Sequence, residues 1–214
     1  MIEWITESHW ICCRNWFKFD VMDNQMTIRP ATVDDAAAIA EINILSWRAT
    51  YVGIIPQAEL DAMNSPDLTQ FWSDAIASPE AVCSVACARD GEAVGFIFGS
   101  RMSVDEDVPV TIEDGQSSGF IRSVHILESA KKSGLGRRLM ATCARQLDRL
   151  DVGKVWLEVA EKNTSAKAFY DRLDGTMEKK VECGAADFAV PAFIYAWPSP
   201  AALLQACEIT TKTA

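Results

Sequence analysis

The 214-residue chain is 49% hydrophobic and 23% charged, enough apolar content to bury the core of one domain of moderate size. Its 30 acidic against 20 basic side chains repel a phosphate backbone, so no nucleic-acid partner is expected, whereas a cationic small substrate is compatible with that field. Seven cysteines without CxxC spacing and two histidines support neither a disulfide framework nor a metal site. With no apolar run near the ~18 residues of a membrane span, and Glu3 and Glu7 at the start, a cytoplasmic protein that does not bind membrane is expected.

Residues 1–25 read as an extension in which Trp4, Trp10 and Trp16 accompany Cys12-Cys13 without periodicity. It is either an adhesive arm, covered by a partner or by a second copy in a homodimer, or a poorly ordered leader. A strand begins at Met26 to Pro30, and the acid-rich Thr32-Val33-Asp34-Asp35 leads into a helix over Ala36 to Ser46. Tyr51, Gly53 and Pro56 interrupt Arg48 to Pro56, after which Ala58 to Met63 and Leu68 to Ala77 read as short helices separated by Ser65-Pro66. A broken helical region of this kind often borders a cleft.

Val82 to Arg89 and Val94 to Met102 predict an antiparallel hairpin turning at Asp90-Gly91. The loop Ser103 to Ser118, with Asp105, Glu106, Asp107, Glu113 and Asp114, is either a solvated face or a cation-attracting rim. A strand over Phe120 to Leu127 is followed by a glycine turn and by an amphipathic helix with Leu135, Leu139, Cys143, Leu147 and Leu150 on its apolar face. With a strand over Val155 to Ala160 these make a right-handed crossover between parallel strands. Asn163 is placed to cap a helix over Thr164 to Leu173, and Met177 to Cys183 with Phe188 to Trp197 form a closing hairpin in which Pro191 suggests an edge or a bulge. The main domain then spans 26–198, and 199–214 is a tail with a short helix.

The chemistry concentrates in the turn Lys131-Lys132-Ser133-Gly134-Leu135-Gly136, between a strand and a helix. Several amide N–H groups there have no intrahelical partner, and the helix dipole adds partial positive charge, so the turn suits an anion. Gly134 permits backbone angles closed to other residues, and Gly136 allows a phosphate to approach without meeting a Cβ. The spacing is neither that of a nucleotide P-loop nor that of a dinucleotide fold.

In order and spacing, three segments between Met26 and Trp197 resemble the GNAT superfamily of acetyl-CoA-dependent N-acyltransferases. Ile121 to Gly136 is similar to the family's fourth strand and pyrophosphate loop. Trp156 to Asn163, followed by Ala166 and Phe169-Tyr170, is similar to its fifth strand, coenzyme-facing asparagine and helical aromatic pair. Ile28 to Asp35 with Ser46 to Tyr51 resembles the first strand and helix. The resemblance implies a single α/β (α+β) domain with a mixed, mostly antiparallel sheet flanked by helices and splayed where strands 4 and 5 run parallel. It implies direct transfer of an acetyl group from acetyl-CoA to a primary amine of a small molecule or peptide.

It further implies that the backbone of Val124 and Ile126 pairs with the pantetheine arm and that Lys131, Lys132, Ser133, Gly134, Leu135, Gly136 and Arg137 hold the pyrophosphate, Lys131 replacing an Arg or Gln. Asn163 and Ala166 meet the pantetheine, unless Asn163 only caps its helix. Tyr170 is the general acid for the leaving thiolate, or else a core aromatic. The fourth-strand glutamate that serves as base in some members corresponds here to Phe120. That leaves His125 as a candidate base or a structural histidine, beside a water-mediated route through Arg122, Ser123 or a carboxylate of the 103–118 loop. Trp47 and Tyr51 are candidates for the acceptor side. The rival expectation is an acyl-CoA-binding sensor with little catalysis.

Overall fold

The computed structural model describes residues 26–103, 110, 116–185 and 188–209; the 1–25 extension and most of the acidic loop lie outside them. Seven strands, β1 (Thr27–Pro30), β2 (Ala81–Cys87), β3 (Ala93–Met102), β4 (Ser117–Ile126), β5 (Val152–Ala160), β6 (Thr176–Ala185) and β7 (Phe188–Trp197), form one sheet in the order β1-β2-β3-β4-β5-β7-β6. Every neighbouring pair is antiparallel except β4 and β5, as expected of the crossover. The helices are α1 (Ala36–Thr50), α2 (Gln57–Ala62), α3 (Ser65–Ala77), α4 (Leu135–Asp148), α5 (Thr164–Asp171) and α6 (Pro200–Ile209).

Strand alternation sends successive side chains to opposite faces, and each face has its own helical cover. On one face Ile39 and Ile42 of α1 and Trp72 of α3 pack on Cys83, Phe96 and Phe98. On the other, Leu139, Met140 and Leu147 of α4 pack with Ile97, Ile121, Val155 and Leu157. Burying each such side chain stabilises the fold by about 1.5–3 kcal/mol, offset by the ordering of the chain.

Four expectations are corrected. Helix α1 continues four residues past Ser46 because nothing before Gly53, at φ 74°, forbids helical angles. Ser65 and Pro66 open α3 rather than precede it: proline is tolerated in a first turn, and Asn64 accepts the Asp67 N–H at 3.1 Å as the cap. Pro191 lies on an interior strand, β7, where its carbonyl accepts the Glu161 N–H at 2.8 Å just past the last pair with β5, Ala160↔Ala192. Proline has no N–H to return that bond, so the ladder between the two strands ends there. Helix α6, assigned to a tail, buries Leu203, Ala206 and Cys207 in the main core.

Candidate functional site

The sheet opens between β4 and β5. Their parallel pairing runs Ser117↔Val152, Gly119↔Val155 and Phe120↔Trp156 and then stops, although β4 continues to Ile126 and β5 to Ala160. The closed end is pinned by Phe120 stacked on Trp156, ring centroids 4.2 Å apart, and by Trp156 Nε1 donating to Ser118 Oγ at 3.1 Å. Just beyond it, Phe98 faces Ser123 while Gly99 faces Ile121, so Arg122 is an extra residue, a bulge that bends β4 away from β5. Leu127 N donates to Val94 O at 2.9 Å, which turns the backbone of Leu127 toward β3. By alternation the N–H and C=O groups of Val124 and Ile126 point into the opening, where β5 supplies no partner.

At the wide end stands the glycine turn. Gly134 has φ 78°, and a Cβ there would meet only Arg137 Nη2, at an ordinary 3.9 Å, so its backbone angles, not crowding, demand glycine. Lys132 also adopts a positive φ of 60°. Ser133 Oγ donates to Ala130 O at 2.7 Å, and Lys131 pairs with Glu128 at 2.8 Å. The Leu135 side chain is buried, so this residue offers only its amide. Gly136 has a different reason from the one expected: a Cβ there would meet Phe169 Cζ at 3.3 Å and Ile126 Cδ1 at 3.4 Å, so the glycine lets α5 close on α4. Arg137 is half-buried on the first turn of α4.

Asn163 performs the capping role: its Oδ1 accepts the Ala166 N–H and the Ser165 hydroxyl, each at 3.1 Å. The Ala166 amide is thereby committed to the cap. Tyr170, at the end of α5, packs its ring against Phe169, Tyr195 and Trp197 at centroid distances of 5.3, 5.8 and 6.2 Å. Its hydroxyl has no hydrogen-bond partner among the described residues, and burial, with Tyr51 nearby, raises its pKa so that the phenol keeps its proton. Tyr51, just after α1, is likewise raised by burial and by Cys183, while a hydrogen bond with the Asn163 side chain acts the other way. Trp47 packs on Tyr51 at 4.9 Å, and its buried Nε1 has no acceptor among the described residues.

Two residues escaped sequence reasoning. Glu158 lies two positions past Trp156, on the sheet face that carries Trp156 and Phe120, and accepts a hydrogen bond from Cys183 Sγ at 3.0 Å. Burial, and then Glu158, push the Cys183 thiol up to about 12. A carboxylate inside the apolar run Val155 to Ala160 was the available signal for Glu158. Cys183 had none, because only the β6–β7 hairpin brings it across.

His125 does not join this group. It is buried on the α1 face, its Nδ1 3.0 Å from Ser46 Oγ and its ring 5.4 Å from Phe96, while the free backbone of its neighbours faces the opening. Burial, and then Lys131, lower its pKa to about 4. These contacts are those of a structural histidine, the alternative expected beside the base. Because the folded-state value lies below the ordinary 6.5, protonation favours the unfolded chain. The contribution is present above pH 6.5 and is lost as pH falls toward 4, on the order of 3 kcal/mol. Urea melts of His125→Leu are expected to show a flatter dependence between those pH values than the parent; parallel curves would contradict the assignment.

A sheet splayed between two parallel strands, with an amide-rich turn at its wide end, is the architecture of an acyltransferase. The chain belongs to the Acetyltransferase (GNAT) family, whose sequence profile matches residues 41–175. It is 28% identical over 140 residues to the uncharacterized N-acetyltransferase YuaI of Bacillus subtilis, covering 65% of this chain and 75% of that one. It is 34% identical over 115 residues to an aminoglycoside N(6')-acetyltransferase type 1 of Stenotrophomonas maltophilia, covering 54% and 63%. Among solved structures, the fold matches the PaiA N-acetyltransferase of Thermoplasma acidophilum in complex with coenzyme A at TM-score 0.61 and 16% identity, over 81% of this chain and 98% of that one. It matches Arabidopsis thaliana NAA60 with a bisubstrate analogue at TM-score 0.61 and 15% identity, over 80% and 98%.

Proposed function

We propose that the chain transfers an acetyl group from acetyl-CoA directly to a primary amine of a small molecule or peptide. The observation that carries this reading is the opening itself: the backbone groups of Val124 and Ile126 face it without a partner on β5, and the glycine turn stands at its wide end. The pantetheine arm occupies the place of a missing strand, and the amides from Lys132 to Arg137 receive the pyrophosphate. Tyr170 gives its proton to the sulfur as the carbon–sulfur bond breaks. Direct transfer is supported by Cys183, which stays a thiol at neutral pH and is a poor nucleophile for a covalent intermediate. The relatives named for an aminoglycoside acetyltransferase and for NAA60 with its bisubstrate analogue support an amine as acceptor.

The second reading, a sensor that binds the donor with little turnover, is favoured by Phe120, which is occupied in stacking on Trp156 and offers no carboxylate. Thiol release from acetyl-CoA, followed over polyamines, aminoglycosides, amino acids and peptides, separates the two: turnover on any of them establishes the enzyme, and binding without release supports the sensor.

Gly134→Ala tests the turn. A Cβ at φ 78° costs roughly 1–2 kcal/mol or reshapes the turn, so acetyl-CoA affinity is expected to fall about tenfold while kcat changes little. An unchanged affinity removes the turn from the donor site. In the pH–rate profile, His125→Ala is expected to leave the acidic limb in place; loss of that limb would restore the histidine as base.

A further inference from the structure

We infer that the cavity at the β1–β2 edge of the sheet is a second anion site, separate from the donor opening, and that it takes a phosphate dianion, free or carried by a small phosphorylated compound. The cavity measures about 360 Å³ and is lined by Thr27, Arg29, Cys87, Ala88, Arg89 and Gly91. That size falls in the range of small-ligand sites.

Strand register builds the cavity. Thr27 pairs with Cys87 and Ile28 with Ala86, and both Ile28 and Ala86 pack into the core under α4. By alternation Thr27, Arg29 and Cys87 present their side chains on the opposite face, where Asp35 at the start of α1 meets Arg29. Strand β3 separates β2 from β4, so the cavity stands two strand spacings, about 10 Å, from the donor opening.

The two guanidinium groups complement each other. Arg29 is held in place: Nη1 and Nη2 each donate to an Asp35 carboxylate oxygen at 2.7 Å, and Nη1 also donates to Pro30 O at 3.2 Å. These bonds leave Nε and the second Nη2 hydrogen on the side where the Cys87 side chain meets the group. Arg89 has no ion pair or hydrogen bond among the described residues, although acidic side chains outnumber basic ones 30 to 20. Its neighbour Asp90 is turned back onto the hairpin, where Oδ1 accepts the Glu92 N–H at 3.0 Å. Asp35 offsets the charge of Arg29, so Arg89 supplies the net attraction, and Arg29 supplies oriented donors. A phosphate offers three strong acceptor oxygens, enough for both guanidinium groups and the Thr27 hydroxyl, whereas one guanidinium fork already occupies both oxygens of a carboxylate.

The full chain, saturated with acetyl-CoA, is titrated with inorganic phosphate and with glycerol 3-phosphate, and binding is followed by phosphorus NMR and calorimetry. One site per chain is expected, with a Kd of roughly 0.1–10 mM. Arg89→Gln is expected to weaken it at least about tenfold and Thr27→Val about threefold, while Gly134→Ala, which reshapes the donor turn, leaves it unchanged. Arg89 is exposed, so its variant should melt with the parent. Tighter binding of glycerol 3-phosphate supports the site as one for a phosphomonoester, and equal binding supports it as one for free phosphate. No saturable binding up to about 20 mM, binding indifferent to Arg89→Gln, or binding weakened about tenfold by Gly134→Ala overturns the inference and leaves the N-acetyltransferase reading untouched.

Discussion

Tyr170→Phe is expected to lower turnover by about 10² to 10⁴ while acetyl-CoA affinity stays nearly unchanged. The coenzyme A thiolate is a better leaving group when a donor meets the sulfur as the bond breaks, and in the proposed reaction that donor is the Tyr170 phenol. Burial keeps that phenol protonated throughout the neutral range, so it is charged with its proton whenever the donor arrives. Because the hydroxyl has no hydrogen-bond partner among the described residues, deleting it leaves no buried group orphaned, and the ring contacts with Phe169, Tyr195 and Trp197 survive in phenylalanine. The variant should therefore melt within about 1 kcal/mol of the parent, which separates chemistry from packing. Unaltered kcat would return Tyr170 to the role of core aromatic.

Trp197→Ala is expected to cost the fold about 3–5 kcal/mol in urea denaturation, a large share of the stability of a domain this size. Trp197 is 1% exposed, donates from Nε1 to Leu173 O at 2.6 Å, and packs edge-on against Tyr170. Truncation removes an indole from the main core and leaves the Leu173 carbonyl without its donor. Gly175 records how tightly the indole is held: a Cβ there would stand 2.9 Å from Trp197 Cζ2. Because Trp197 and Tyr170 share a wall, turnover should fall as well. Trp197→Phe fills most of the space and should recover more than half of the loss. A loss below about 1 kcal/mol for the alanine variant would mean that the indole is not a core member.

The same pair shows what the sequence made legible. Trp197 closes a continuous apolar run from Phe188, and Tyr170 sits at helical spacing from Ala166, so local pattern places both in elements. The turn was legible because Gly134 follows a strand and precedes a strongly amphipathic helix, a juxtaposition that physical chemistry reads as an anion cradle. The parallel crossover followed from strand, helix and strand in succession.

What was not legible depends on contacts between distant segments. That β7 lies between β5 and β6 is a choice of pairing partner, invisible in local periodicity, and it placed Pro191 in an interior strand. The face of His125 was uncertain because the bulge at Arg122 shifts the alternation of β4, and a bulge leaves little trace in composition. At Gly136 the sequence points to room for a phosphate, whereas in the fold the neighbour at the missing Cβ is Phe169, 33 residues further along the chain. Glu158 and Cys183 meet only because a hairpin folds back over β5.

The central claim is that the opening between β4 and β5 receives acetyl-CoA. Calorimetric titration of the parent chain with acetyl-CoA tests it most directly. The account predicts saturable binding at one site per chain with a Kd in the range of about 1 μM to 1 mM, weakened about tenfold by Gly134→Ala and scarcely altered by Tyr170→Phe. Absence of saturable binding, or binding indifferent to Gly134→Ala, would contradict it.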